Sequence, residues 1–218
     1  MTSKLWPGDV SGAGAGAVRL AFQKTLERLG FAERKRPLDL YLLHWPGLDG
    51  ACVDSCSTTR RSSREDPNAS RLRVWREMEA LLKSSPRWVR AVGVSNFLER
   101  HLDPLLKFAD IVPAVNQIEF NPFQHPKRLR AYCLEKRIVV QGYAPFGKGV
   151  CLRSPAVRDV AKAAGCTESR ALIRWSVLER ALPKSRHFEY LEPHPFCSAS
   201  SERLRRAATS GVAPSAVK

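Results

Sequence analysis

Apolar positions along the chain recur first with a helical period and then in short continuous runs. Over residues 17–29, Val18, Phe22, Leu26 and Leu29 fall on one face and Gly30 follows as a C-terminal stop, which predicts a surface helix packed on a core. After Pro37 the run LDLYLLHW is short and bounded by turn signals, as a buried parallel strand is, and it ends at His44. Residues 49–70 are rich in Ser, Thr, Asp and Arg without apolar period and read as an exposed polar insertion. A helix resumes near Leu72, with Val74, Trp75, Met78, Leu81 and Leu82 on one face, and stops before Pro86.

From there the alternation is regular. Strand VRAVGVS (89–95), a helix over 98–109, strand PAVNQIEF (113–120), a helix over 126–137 and strand IVVQGY (138–143) follow in turn, the signature of a parallel α/β fold. Ser154 and Pro155 form an N-cap and first-turn pair for another helix, Thr167 caps the next, and the short piece ALPKS ends the pattern at Ser185. Residues 186–218 are polar and rich in Ser, Pro and Ala, which predicts a disordered tail behind a folded region of residues 1–185.

Composition narrows this picture. At 218 residues, 44% hydrophobic and 26% charged, the chain suits one globular domain with a sizeable core. A closed (β/α)8 barrel typically takes about 250 residues, so a chain of this length with non-barrel segments is expected to form an incomplete one. No run of about 18 apolar residues exists and the first ten residues lack the pattern of a secretory signal, so a soluble, cytoplasmic protein is expected. The six cysteines are scattered and only Cys52 and Cys56 lie close together, without a histidine to complete a zinc set. Reduced thiols and no metal are expected. The net charge of +15 raises the question of a polyanionic partner, but the basic residues recur along the whole chain without any nucleic-acid-binding signature. A solvated basic surface is expected, with no nucleic-acid and no membrane partner.

Candidate chemistry gathers at the C-terminal ends of the predicted strands: His44, then Ser95 and Asn96, then Gln117, then Tyr143. Those ends share one face of a parallel barrel, where active sites are built. A strand-terminal His is often structural, and Asn or Gln there is often a turn or capping residue. Four such placements together point to a site.

The stretches TSKLWPGD, LDLYLLHWPG, VRAVGVSNF, PAVNQIEFNPF, QGYAPFGKG and LPKS resemble the aldo-keto reductases, in that family's order and with roughly its spacing, over residues 2–185. GVSNF with NQIEFNP makes the resemblance specific. It implies an NADPH-dependent oxidoreductase reducing an aldehyde or ketone at the barrel mouth without a metal. Lys4 matches the family lysine that follows the third strand, and His44 the histidine that ends the fourth. The resemblance gives Ser95, Asn96 and Gln117 to the nicotinamide carboxamide and Tyr143 to stacking on that ring. It gives the backbone of APFGKG to the pyrophosphate, Lys184 and Ser185 to the adenosine 2′-phosphate, and Trp45 to the substrate pocket.

The family pairs that lysine with an aspartate and a proton-donating tyrosine, both earlier in the fold, whereas Met1 stands only three residues before Lys4. No residue here matches either one; Tyr41 lies inside a strand. Beyond Ser185, Tyr190, Pro193 and His194 occupy the region where the family carries adenine-binding residues. The resemblance therefore implies an N-terminally truncated barrel, impaired or inactive, with open edges through which copies could associate. Its alternative is a non-catalytic NADP(H)-binding or interaction protein, comparable to the potassium-channel β subunits that resemble the same family.

Overall fold

The computed structural model describes residues 1–10, 13–47 and 66–184. Six strands, β1 (Thr2–Leu5), β2 (Leu40–Leu43), β3 (Val92–Ser95), β4 (Val115–Glu119), β5 (Val139–Tyr143) and β6 (Leu182–Pro183), lie in the sheet in chain order. The pairings β1 with β2, β2 with β3 and β5 with β6 are parallel. Parallel neighbours need crossovers, and helices supply them: α1 (Ala17–Arg28), α2 (Pro67–Ser84), α3 (Glu99–Leu106) and α4 (Lys127–Glu135) alternate with the first five strands, and α5 (Pro155–Ala163) and α6 (Glu168–Leu178) precede β6. The α/β expectation holds from α1 onward, and β1 adds a strand ahead of it that the apolar pattern does not predict. Ser185, the tail and residues 49–65 of the polar insertion lie outside the described residues.

The described residues form two compact units, residues 1–116 with 135–138, and residues 117–134 with 139 onward. In the first, all four residues of β2 and of β3 are buried, as strands covered on both faces must be. Val18, Phe22 and Leu26 of α1 and Val74, Trp75, Met78 and Leu81 of α2 are buried on the faces that the apolar period predicts. Tyr41 belongs to this core, its ring 5.1 Å from that of Phe22, and burial pushes its phenol up to about 12. It is a packing residue. Gly93 is fixed by close approach: a Cβ there would stand 2.6 Å from the Val115 carbonyl oxygen and 2.8 Å from Leu42 Cδ2.

Helix α2 begins at Pro67 rather than near Leu72 because Asp66 caps it, its carboxylate accepting from the Asn68 N–H at 3.0 Å, with Pro67 in the first turn. The helix then holds its neighbours. Glu77 Oε2 accepts from Gly16 N–H at 3.1 Å and Val18 N–H at 3.2 Å, capping α1, whose own N-cap is a glycine without a side chain to do so. Two residues on, buried Glu79 accepts from the Ile111 N–H at 2.9 Å, while Trp75 Nε1 donates to the Ile111 carbonyl at 3.1 Å. Both backbone groups of Ile111 are thereby satisfied by side chains four apart on α2.

In the second unit Phe120 stacks on Trp175 of α6 at 5.2 Å, and His125 stands perpendicular to Trp175 at 5.3 Å. Arg130 of α4 pairs with the Glu179 carboxylate and donates to its backbone carbonyl at 2.7 Å, which ties α4 to the end of α6. Thr167 caps α6, its hydroxyl accepting from the Arg170 N–H at 3.3 Å, whereas Ser154 occupies the N-cap of α5 without a side-chain bond.

Candidate active site

In the first unit the expected residues converge. Lys4 lies within β1, not after it, and its ammonium reaches Ser95 Oγ at 3.4 Å. The buried Ser95 hydroxyl closes β3 and also accepts from Asn96 Nδ2 at 3.2 Å. The same amide nitrogen donates to the His44 carbonyl oxygen at 3.1 Å, joining the ends of β2 and β3. Asn96 does this from the left-handed region, φ +63°, which Asn tolerates better than most residues. The half-buried His44 ring packs edge-on against Trp6 at 5.3 Å and near-parallel to Trp45 at 6.0 Å and 21°. Lys4, His44, Ser95, Asn96 and Trp45 thus share one neighbourhood at the strand ends.

Three further residues hold this arrangement, and little in the apolar pattern or the motifs marks them. Asn116, fully buried in β4, donates to the Phe97 carbonyl at 2.9 Å and accepts from its N–H at 3.4 Å, locking the loop that carries Asn96. Arg71 of α2, mostly buried, donates to the Pro46 carbonyl at 3.2 Å and to Asn68 Oδ1 at 2.6 Å. With Asn96 on the His44 carbonyl and Arg71 on the Pro46 carbonyl, the backbone is held on both sides of Trp45. Trp6 follows Lys4 by two residues, a spacing that could have marked it.

The second unit carries Gln117, Tyr143 and Lys184. Gln117 is fully buried and donates from Nε2 to Gln141 Oε1 on β5, a partner not foreseen. Tyr143 is half-buried, and burial with the nearby Glu119 carboxylate raises its phenol, so the ring stays neutral. Lys184 is exposed, its N–H donating to the Gly142 carbonyl at 2.7 Å. Ser185, expected beside it, lies outside the described residues.

After β5 the chain passes through Ala144, Gly147, Lys148 and Gly149, all at positive φ. A Cβ at Gly147 would stand 2.6 Å from Cys151 Sγ, so glycine is required there. The N–H groups of Gly147, Gly149, Val150 and Cys151 all donate to carbonyls within this loop. The resemblance implies that amides of this loop meet a pyrophosphate; the N–H groups of those four are engaged within the loop. At the nicotinamide end the chemistry fits better, since a hydroxyl and a side-chain amide supply both donor and acceptor for a carboxamide.

The aldo/keto reductase family profile matches residues 3–155. A glyoxal reductase of Bacillus subtilis is 35% identical over 187 residues, covering 85% of this chain and 57% of its own. An aldose reductase B of Dictyostelium discoideum is 35% identical over 180 residues, covering 79% of this chain and 55% of its own. The chain spans about half the length of the curated relatives it matches. Among solved structures, the aldose reductase of Giardia lamblia superimposes with a TM-score of 0.75 at 26% identity, covering 96% of this chain and 72% of its own. An aldo-keto reductase crystallised with NADPH has the same fold, with a TM-score of 0.72 at 24% identity over 94% of this chain and 62% of its own. With its motifs, its parallel α/β fold and these relatives agreeing, the chain belongs to the aldo/keto reductase family.

Proposed function

We propose that this chain carries the NADP(H) and carbonyl sites of a reductase that converts aldehydes or ketones to alcohols, and that the 218 residues alone turn over slowly or not at all. The observation that carries the reading is the network in which Lys4 and Asn96 both donate to the Ser95 hydroxyl and Asn96 joins it to His44.

The cofactor supplies hydride to the carbonyl carbon. His44, between two indoles, donates a hydrogen bond that orients the carbonyl oxygen, and Trp45 shapes the pocket beside it. Lys4 brings positive charge towards the oxygen, where negative charge develops. In the first unit Ser95 and Asn96 offer a hydroxyl and an amide suited to a carboxamide; in the second, Gln117 offers an amide of the same kind and Tyr143 a flat neutral ring for stacking. Lys184 and Ser185 take the 2′-phosphate, which sets the preference for NADPH. A cytoplasmic setting, with reduced thiols, suits this chemistry.

Proton delivery is the weak step. No residue among the 218 matches the family tyrosine or aspartate, and loss of a general acid lowers rates by about 10²- to 10⁴-fold. A second reading is a non-catalytic NADP(H)-binding protein, which Ser95, Asn96, Gln117 and Tyr143 fit equally well.

Titration of the purified chain with NADPH, followed by cofactor fluorescence and melting temperature, tests the first claim. Saturable binding with a raised melting temperature is expected, and absence of both refutes it. Reduction of 4-nitrobenzaldehyde at a rate normal for the family would refute the slow turnover; binding with no turnover at all would favour the second reading.

A further inference from the structure

Successive side chains of a strand point to opposite faces, so Gln117 and Glu119 of β4 share one face, and Gln141 and Tyr143 of β5 share one. β4 and β5 are neighbours in the sheet, and these two faces coincide. Gln117 Nε2 donates to Gln141 Oε1, and burial together with the Glu119 carboxylate raises the Tyr143 phenol. All four residues belong to the second unit. Gln141, half-buried, therefore stands two residues before the ring proposed for stacking and touches the fully buried amide proposed for the carboxamide.

Packing does not require two facing amides at this place. A side-chain amide taken out of water costs stability unless its hydrogen bonds are met, and replacing both members of such a pair by apolar groups of the same shape is close to neutral. What Gln141 adds is direction. A primary amide carries its donor and its acceptor on opposite sides of one plane, and turning it over exchanges the two at almost the same shape. With Nε2 held by Gln141, the Gln117 oxygen faces away from Gln141.

We infer that Gln141 is a positioning residue for the cofactor: by accepting from Gln117 Nε2 it fixes the direction of the buried amide, so that Gln117 offers its oxygen, an acceptor, to the amide N–H2 of the nicotinamide. The inference rests on the reading that Gln117 meets the carboxamide, and adds what sets the direction of that contact. An amide able to turn over would serve a ring substituent with or without N–H groups. A fixed acceptor discriminates between them.

The test is calorimetric titration of the full chain with two reduced cofactors, NADPH and its 3-acetylpyridine analogue, which carries a methyl where NADPH carries the amide N–H2. Wild type should bind NADPH about ten-fold more tightly, because the analogue leaves a buried acceptor facing a methyl. Gln141→Met has nearly the same shape and only a weak acceptor, so the Gln117 amide can turn and the ratio should fall to about two or less. Gln141→Glu keeps acceptor oxygens and should keep the wild-type ratio, whereas Gln141→Lys offers donors alone, draws the Gln117 oxygen to itself and should bring the ratio to about one. The two cofactors carry the same charge, and lost packing weakens both alike, so the ratio reports direction rather than charge or fold. A wild-type ratio near one, or a Gln141→Met ratio equal to that of wild type, would overturn the role of Gln141 and leave the cofactor reading standing. Equal ratios in the Glu and Lys variants would overturn it even where the Met variant does not fold. Failure of wild type to bind NADPH at all would overturn both.

Discussion

Asn96 is the residue on which the proposed site turns, and replacing it separates backbone from side-chain effects. Its amide makes two hydrogen bonds, to the His44 carbonyl at 3.1 Å and to Ser95 Oγ at 3.2 Å, from φ +63°. Each such bond contributes roughly 0.5–1.5 kcal/mol. Asn96→Gly keeps the backbone at ease and removes both, for a loss of about 1–3 kcal/mol. Asn96→Ala removes the same bonds and adds roughly 1 kcal/mol, because a Cβ without a bonding amide is poorly tolerated at that φ. Asn96→Asp keeps the shape but, when ionised, cannot donate to either oxygen, and should lose at least as much as the glycine variant. Urea midpoints of the three variants should therefore fall below wild type with glycine above alanine. NADPH titrations should weaken at least ten-fold in all three. A stable alanine variant, within about 0.5 kcal/mol of wild type, would refute the stabilising role of the network. Wild-type NADPH affinity in the glycine variant would refute the carboxamide contact.

Gly93→Ala drives a Cβ into the Val115 carbonyl and Leu42; a loss of about 3 kcal/mol is expected, a fall in melting temperature of roughly 6–12 °C, and an unchanged melt would show that the strands can move apart. Glu77→Ala uncaps α1 and should lower stability by about 1–2 kcal/mol in urea, with Glu77→Gln, which keeps an acceptor, losing less. His101 Nδ1 accepts from the Leu98 N–H at 3.1 Å, and burial, with Arg71 and Arg100 nearby, lowers its imidazole from 6.5 to about 4. The folded state thus disfavours the proton that the unfolded chain accepts, so this contribution is full above pH 6.5, drains away as pH falls towards 4 and is constant below. His101→Gln retains an acceptor at that position, and its urea midpoint should lack this component of the pH dependence.

The strands were legible because β2 and β3 are buried on both faces, and burial of that kind writes itself as continuous runs such as LYLL and VGVS. β1 was not, since TSKL has no apolar run, and Lys4 accordingly stands inside a strand rather than after it. The start of α2 was hidden by chemistry that serves two purposes: Asp66 and Pro67 look like more of a polar segment and act as cap and first turn. At the site, residues that end strands could be read from position, as His44, Ser95 and Asn96 were. Those that act across the fold could not. Nothing in a polar stretch of α2 marks Arg71 as the partner of a carbonyl 25 residues earlier, and nothing in NQIEF shows that Asn116 turns towards Phe97. Glycines in APFGKG reveal an unusual backbone path, but not that its amides bond among themselves.

Arg71 couples the start of α2 to the candidate site: the helix that Asp66 caps carries the guanidinium that holds the Pro46 carbonyl, one residue past Trp45. Fraying of that first turn would release the backbone beside Trp45 and His44, so a change at Asp66 or Pro67, about twenty residues away in sequence, is transmitted to the Trp45 indole and the His44 imidazole.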